Sequence, residues 1–128
     1  MKNLRFNFYR AGESPPKNCG DVVHMPQGIT DKRSLLHLFA ARLSFPKYFG
    51  SNWDALDESL SDLSWLKTSL VCIWHKDIPL AANPDEARRY LLVLDNVLSN
   101  PGSVQLRASF PETAKADLMA LVSGHAET

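Results

Sequence analysis

The sequence predicts an α/β fold in which helices flank a mainly parallel sheet, and three observations lead to this class. Residues 69–74 form a continuous apolar run of strand length, typical of a central strand covered on both faces. Residues 83–86 have the pattern of a helix start, with an asparagine N-cap followed by a proline and two acids. Residues 104–110 alternate in polarity as a strand does, so strands and helices alternate along the chain.

The chain begins with two predicted strands joined by a loop. Apolar residues alternate with polar ones over residues 3–9, which indicates a half-buried strand. Glycines and prolines mark residues 11–20 as a loop, and residues 21–25 form a short apolar strand that a proline closes. The N-terminal strand is expected either to extend the sheet or to exchange between copies of the chain.

Four helices are expected after these strands. The first begins at Thr30 or Asp31 as the N-cap and stops at the Phe45-Pro46 pair. The second follows the loop at residues 47–51 and ends between Leu63 and Trp65. The third follows the start at residues 83–86, has an apolar face and ends at residues 100–102, and residues 111–122 form the fourth, weaker helix.

Length and charge limit the classes of partner. A chain of 128 residues, 45% of them hydrophobic, is expected to form a single domain. Lys plus Arg and Asp plus Glu number 14 each, so no overall field attracts nucleic acid or a membrane. No N-terminal apolar segment is present, and no run approaches the roughly 20 apolar residues of a membrane span. We therefore expect a soluble, cytoplasmic protein that is a monomer when free.

Neither a disulfide nor a metal site is expected. Cys72 lies within the apolar run and is interpreted as a small buried side chain, while Cys19 lies in the first loop and is expected to be a free thiol. The four histidines are scattered, without the paired spacing of metal ligands. Because glycine-rich nucleotide motifs and a GxSxG motif are also missing, we predict no cofactor.

The second predicted helix has an acidic stripe. At about 100° per residue, its apolar side chains fall on one face and three carboxylates on the other, namely Asp54, Glu58 and Asp62, with Asp57 at the edge. Like charges spaced i, i+4 cost a few tenths of a kcal/mol, so helix stability does not explain the stripe. A solvated face is the simple interpretation, but the stripe carries one sign only, which favours a recognition surface.

The loop before that helix adds aromatic side chains to the stripe. Phe49 is expected to pack into the core, whereas Tyr48 is expected to keep its hydroxyl at the surface. Aromatic residues beside charges are common in recognition surfaces. Acid–base catalysis by Asp54 and Glu58 is not expected, because on a solvent-exposed helix face nothing would raise the pKa of one carboxyl above that of the other.

Residues 45–60 resemble the barstar family. The resemblance is carried by the run Phe45-Pro46-Lys47-Tyr48-Phe49-Gly50-Ser51-Asn52-Trp53-Asp54-Ala55-Leu56, followed by Asp57-Glu58-Ser59-Leu60. That run is similar to the family's Leu-Pro-x-Tyr-Tyr/Phe-Gly-x-Asn-Leu/Trp-Asp-Ala-Leu signature and its acidic helix. The resemblance covers about residues 21–110. It implies a small layer fold with a three-stranded parallel sheet, to which this chain adds an N-terminal strand and a C-terminal helix within one domain, residues 1–128.

The resemblance also implies a function. It predicts a non-enzymatic, intracellular immunity or antitoxin protein that inserts its acidic loop and helix into the basic active site of a nuclease toxin, expected to be a ribonuclease. The carboxylates would take the place of substrate phosphates. Together with the acidic stripe, the resemblance assigns partner binding to Tyr48, Phe49, Gly50, Ser51, Asn52, Asp54, Asp57, Glu58 and Asp62.

Two of these positions depart from the family pattern. Glu58 stands where the family has its main inhibitory aspartate, and Asp57 stands where it has a contacting tryptophan. The target therefore stays open between a barnase-like ribonuclease and another nuclease. The alternative function is a binding or regulatory module that uses the same fold on a partner other than a nuclease.

Overall fold

The computed structural model describes residues 5–46, 50 and 52–123. Its elements, in chain order, are β1 (Asn7–Tyr9), β2 (Asp21–Met25), α1 (Lys32–Arg42), α2 (Trp53–Asp62), β3 (Leu70–His75), α3 (Pro84–Ser99), β4 (Gln105–Pro111), a short 3-10 helix (Glu112–Ala114) and α4 (Lys115–Ser123). The predicted alternation of strands and helices is confirmed.

The strands of the described residues form one parallel sheet in the order β1-β4-β3-β2. All six residues of β3 are buried, which confirms the prediction of a central strand covered on both faces. The α/β class and the flanking helices are thus as the sequence predicts, with β1 as the added strand beside the three-stranded core.

The two faces of β3 are covered by different parts of the chain. His75 contacts Tyr90 of α3, so the side chains that alternate with it, Val71 and Ile73, lie on the helical face. Trp74 lies on the opposite face, where Tyr9 stacks on it with the ring centroids 4.0 Å apart. The helices therefore cover one face of the central strand, and the N-terminal segment covers the other.

The N-terminal strand extends the sheet of its own chain and is shorter than predicted. Within the described residues it begins at Asn7 instead of residue 5, because its pairing with β4 runs only from Asn7 to Tyr9. Residues 3 and 4 of the predicted strand lie outside the described residues. Phe6 is buried before the strand begins, with its ring 5.3 Å from that of Phe110. Of the two alternatives for this strand, the structure has the extended sheet.

The expectation of a free thiol at Cys19 is wrong, because Cys19 and Cys72 form a disulfide. Residues 10–20 connect β1 at one edge of the sheet to β2 at the other, so they must cross the sheet. This crossing brings Cys19 to a Cα–Cα distance of 5.9 Å from Cys72, within the range that a disulfide requires. The cysteines are separated by 53 positions in sequence, so only the strand order reveals their proximity.

Asp31 is the N-cap of α1, one of the two predicted cap residues. Its carboxylate accepts a hydrogen bond from the Ser34 N–H, which lowers the pKa of Asp31.

The last helix begins later than predicted. Pro111 does not open it, because Pro111 pairs with Tyr9 as the last residue of β4. In the part of the chain that the structure describes, no helix has both the length and the apolar composition to cross a membrane.

A buried histidine connects the sheet to α3. The Nδ1 atom of His75 lies 2.9 Å from the Ser109 carbonyl oxygen, which can only accept, so Nδ1 carries the proton. The Nε2 atom of His75 is therefore the acceptor, and the Tyr90 hydroxyl donates to it at 2.6 Å. The imidazole also stacks on the ring of Phe110, with the centroids 3.9 Å apart. This arrangement requires a neutral imidazole.

Candidate functional site

Helix α2 is defined by a cap at each end. The Asn52 side chain accepts a hydrogen bond of 2.7 Å from the Ala55 N–H, which satisfies a donor that the first turn leaves free. Asp54 lies in that first turn, where the helix dipole favours an anion. Leu63 ends the helix in a left-handed conformation with φ of 48°, so the chain turns sharply after the last acidic residue.

The two faces of α2 separate as predicted. Leu56, Leu60 and Leu63 are fully buried. The three carboxylates of the stripe are exposed, namely Asp54, Glu58 and Asp62. Within the described residues, Asp54 and Glu58 have neither a hydrogen-bond nor an ion-pair partner, so no described side chain competes for a donor from another molecule.

A hollow of about 470 Å³ opens beside the acidic face of α2. Glu58 and Asp62 contribute its carboxylates, while Pro46 and Trp65 contribute apolar surface. Trp65 is fixed at this position because its indole N–H donates to the Leu43 carbonyl oxygen at 2.8 Å. Trp65 could not be predicted as part of the site, because it lies beyond the helix and only the turn at Leu63 brings it back beside the stripe.

The first turn of α2 is attached to the start of α3. The indole N–H of Trp53 donates to the Glu86 carboxylate at 3.1 Å, and the Lys32 ammonium lies 5.8 Å from the centroid of the Trp53 ring. The hydrogen bond of Trp53 to Glu86 fixes the rotation of α2 about its own axis, and this rotation determines the direction in which the acidic stripe points.

Asp57 differs from the other acidic residues because its carboxylate is engaged within the chain. One oxygen accepts a hydrogen bond of 3.0 Å from the Asn96 side chain of α3, and the other accepts one of 3.3 Å from the Ser61 hydroxyl. Asp57 thus connects the middle of α2 to α3. No pattern in the sequence pointed to Asn96, which lies 39 residues away.

We expect the Asp57–Asn96 contact to contribute about 1 kcal/mol to the free energy of unfolding, as a partly exposed hydrogen bond to a charged group does. A double-mutant cycle of Asp57→Ala and Asn96→Ala, followed by urea denaturation, measures this contribution. The two single variants should each lose stability, and the double variant should lose less than their sum. Strictly additive losses would show that the two side chains do not interact in solution.

The loop after α3 comes very close to the end of α2. A Cβ atom added at Gly102 would lie 1.9 Å from the Ser61 carbonyl oxygen, and this atom belongs to the backbone and cannot rotate away. The loop at residues 100–103 therefore stays against α2 only while position 102 has no side chain.

We expect Gly102→Ala to destabilise the protein by about 1–3 kcal/mol, as overpacking does, because the loop or the last turn of α2 must move. Thermal and urea denaturation measure the loss, and Ser103→Ala in the same loop is the matched control, expected to unfold as the unaltered chain does. Unchanged stability of Gly102→Ala would mean that the close approach is not retained in solution.

Of the predicted loop residues, Tyr48, Phe49 and Ser51 lie outside the described residues. Gly50 is exposed, and its carbonyl oxygen accepts a hydrogen bond of 3.4 Å from the Asn52 side chain. The described part of the site therefore consists of Gly50, the cap at Asn52 and the acidic face of α2. Among the described residues, no group of acids, histidines and cysteines is arranged to hold a metal ion.

Comparison with known proteins identifies one family. A sequence model of the family described as Barstar (barnase inhibitor) matches residues 22–108. The match contains α1, α2, β3 and α3, whereas β1, Cys19 and α4 lie outside it. No curated protein has a sequence that matches this chain.

Proposed function

The chain belongs to the barstar family, and from this membership we propose that it inhibits a nuclease, expected to be a ribonuclease, by inserting α2 and the preceding loop into a basic active site. The observation that supports this proposal best is the pair of exposed carboxylates at Asp54 and Glu58, which have no partner within the described chain. Both lie inside the region that the family match covers.

The carboxylates suit a site built for phosphates. An ionised carboxylate accepts two parallel hydrogen bonds from an arginine, much as a phosphate does. Asp54 and Glu58 are one helical turn apart, so they present two such acceptors on one face. We propose that they occupy the positions of substrate phosphates and so exclude nucleic acid from the active site.

The rigidity of α2 supports tight binding. Its first turn is fixed by Asn52 and Trp53, and its middle by Asp57. A helix that is already oriented loses little conformational entropy when it docks, so more of the interaction energy appears as affinity. We therefore propose that Asp57 contributes mainly by positioning α2, while its neighbours contact the partner.

The remaining predicted contacts complete the proposed surface. We propose that Tyr48, Phe49, Gly50, Ser51 and Asn52 form the loop side, and that Asp62 lies at the far end of the helix. The hollow bounded by Glu58 and Asp62 has room for a cationic side chain of the nuclease. We also propose that the chain acts as one unit, because β1 and α4 pack against elements of the matched core.

We propose the role of an immunity protein in the cytoplasm, monomeric until it meets its nuclease. The formal net charge is zero, so long-range steering is weak, and the association rate should depend little on salt compared with that of a strongly acidic inhibitor. Affinity would then come from short-range contacts of the acidic stripe.

Capture of the native partner by the purified chain, followed by a nuclease assay, tests this function. We expect the captured protein to degrade RNA and to lose that activity when one equivalent of this chain is added. A partner without nuclease activity that binds through α2 would support a regulatory module instead. A nuclease bound through another surface would contradict the assignment of the site.

A further inference from the structure

The N-terminal segment is joined to the sheet by one covalent bond, between Cys19 and Cys72. Residues 10–20, here called the strap, connect β1 to β2 across the sheet, on the side where Tyr9 stacks on Trp74. The strap lies before residue 22, where the family match begins. It is therefore an addition to the matched core, fixed to the middle of its central strand.

A hollow of about 510 Å³ lies between the strap and the sheet, and the disulfide borders it. The side toward the sheet is lined by Cys72, Trp74 and Arg107, and the side toward the strap by Glu13, Ser14 and Pro16. In the described residues, Arg107 and Glu13 are the charged side chains of this lining. Cys72 is the cysteine that lines this hollow, in the same lining as Arg107.

The two sulfur atoms differ in access. Cys72 is 2% exposed, whereas Cys19 is only partly buried, since it lies in the exposed strap. Thiol–disulfide exchange needs a thiolate to reach one sulfur while the other leaves. Attack from solution is therefore directed to Cys19, and Cys72 is the leaving group.

The leaving group has a cation beside it. Arg107 of β4 is the register partner of Cys72 in β3, and neighbouring strands are about 4.8 Å apart. A nearby cation stabilises a thiolate, and a more stable thiolate leaves faster. Glu13 lines the same hollow with the opposite charge, and its carboxylate accepts a hydrogen bond from the Arg10 N–H.

We propose that the Cys19–Cys72 bond is an exchangeable disulfide that small thiols open at Cys19, so that the strap is a redox-controlled modification site. A low-mass thiolate forms a bond to the Cys19 sulfur, the bond between the cysteines breaks, and its electron pair leaves on the Cys72 sulfur beside Arg107. A second thiolate then attacks the reagent sulfur of the mixed disulfide, and the electron pair of that bond leaves on the Cys19 sulfur. The two cysteine thiolates take up protons from water, so the products are two cysteine thiols and one disulfide of the reagent.

The opening rate of the full chain with mercaptoethanol tests the proposal without any nuclease. We expect the purified protein to contain no free thiol, the rate to rise in proportion to the thiol concentration, and mass spectrometry to place the mixed disulfide on Cys19. Two free thiols in the protein kept in air, an adduct on Cys72, or a rate that levels off at the rate of global unfolding would each overturn it.

Two charge variants test the leaving group. Arg107→Gln should slow the opening of the disulfide by about threefold. This is the change expected when the pKa of the leaving thiol, Cys72, rises by about one unit and the Brønsted coefficient is ~0.5. Glu13→Gln, on the other side of the same hollow, should open as fast as the unaltered chain or faster. Equal rates for Arg107→Gln and the unaltered chain, or a slower rate for Glu13→Gln, would overturn the role of Arg107. Both residues are exposed, and circular dichroism verifies that the variants fold.

Discussion

Replacing Asp54 and Glu58 by their amides is expected to weaken binding to the nuclease by at least about a hundredfold, because close charge pairs at such interfaces couple by ~1.5–7 kcal/mol each. Asparagine and glutamine keep the shape of the side chains and remove only the charge. Titration calorimetry with the captured nuclease, or its inhibition curve, measures the loss.

The same variant should change the free energy of unfolding by less than about 1 kcal/mol. Asp54 and Glu58 have no partner among the described residues, and the loss of the favourable dipole interaction of Asp54 in the first turn is offset by the loss of the repulsion between the two carboxylates at i, i+4. Loss of affinity without loss of stability separates a binding role from a structural one. Glu112→Gln with Asp117→Asn, exposed acids outside the family match, is the matched control and should bind as the unaltered chain does. Full inhibition by the Asp54→Asn, Glu58→Gln variant would refute the assignment.

Acid is expected to destabilise the fold through His75. Burial lowers the pKa of His75 from 6.5 to about 3, and the hydrogen bond to Ser109 opposes this only in part. The unfolded chain takes up the proton near pH 6.5 and the folded chain only near pH 3, so the stability is complete above pH 6.5 and is lost as the pH falls toward 3. The slope should approach ~1.4 kcal/mol per pH unit.

Urea denaturation at a series of pH values between neutral and pH 4 measures this dependence. The double variant His75→Phe, Tyr90→Phe removes the imidazole and the hydroxyl that donates to it, and its stability should fall less steeply over this range. His24→Gln and His37→Gln change exposed histidines and should leave the slope as it is. If the double variant kept the slope of the unaltered chain, His75 would not be the titrating group.

Periodicity and cap residues were sufficient to predict most of the elements. Strand β2 spans Asp21–Met25 as expected, and α3 begins after Asn83. These features could be predicted because they depend on neighbours in sequence: alternation of apolar residues, a side chain that accepts from a backbone N–H, and a proline at the first turn. The acidic stripe follows from the same helical period.

Contacts between distant segments could not be predicted in this way. The Cys19–Cys72 disulfide depends on the strand order, and the Asp57–Asn96 hydrogen bond depends on how α2 packs on α3. Gly102 belongs to the pattern that ends α3, but nothing in that pattern shows that its missing side chain sets how closely two segments approach. Each of these features results from tertiary packing, which local propensities do not encode.

The position of β1 beside β4 imposes an order on biosynthesis. Asn7 pairs with Ser109, so β1 leaves the ribosome before its partner strand β4 and must wait for it. At about 5–20 residues per second, that wait lasts roughly 5–20 s. During this time the nascent chain can assemble β2, β3 and the helices between them, but Phe6 has no Phe110 ring to pack against and β1 has no β4 edge to pair with. The sheet is therefore complete only after β4 has emerged from the ribosome.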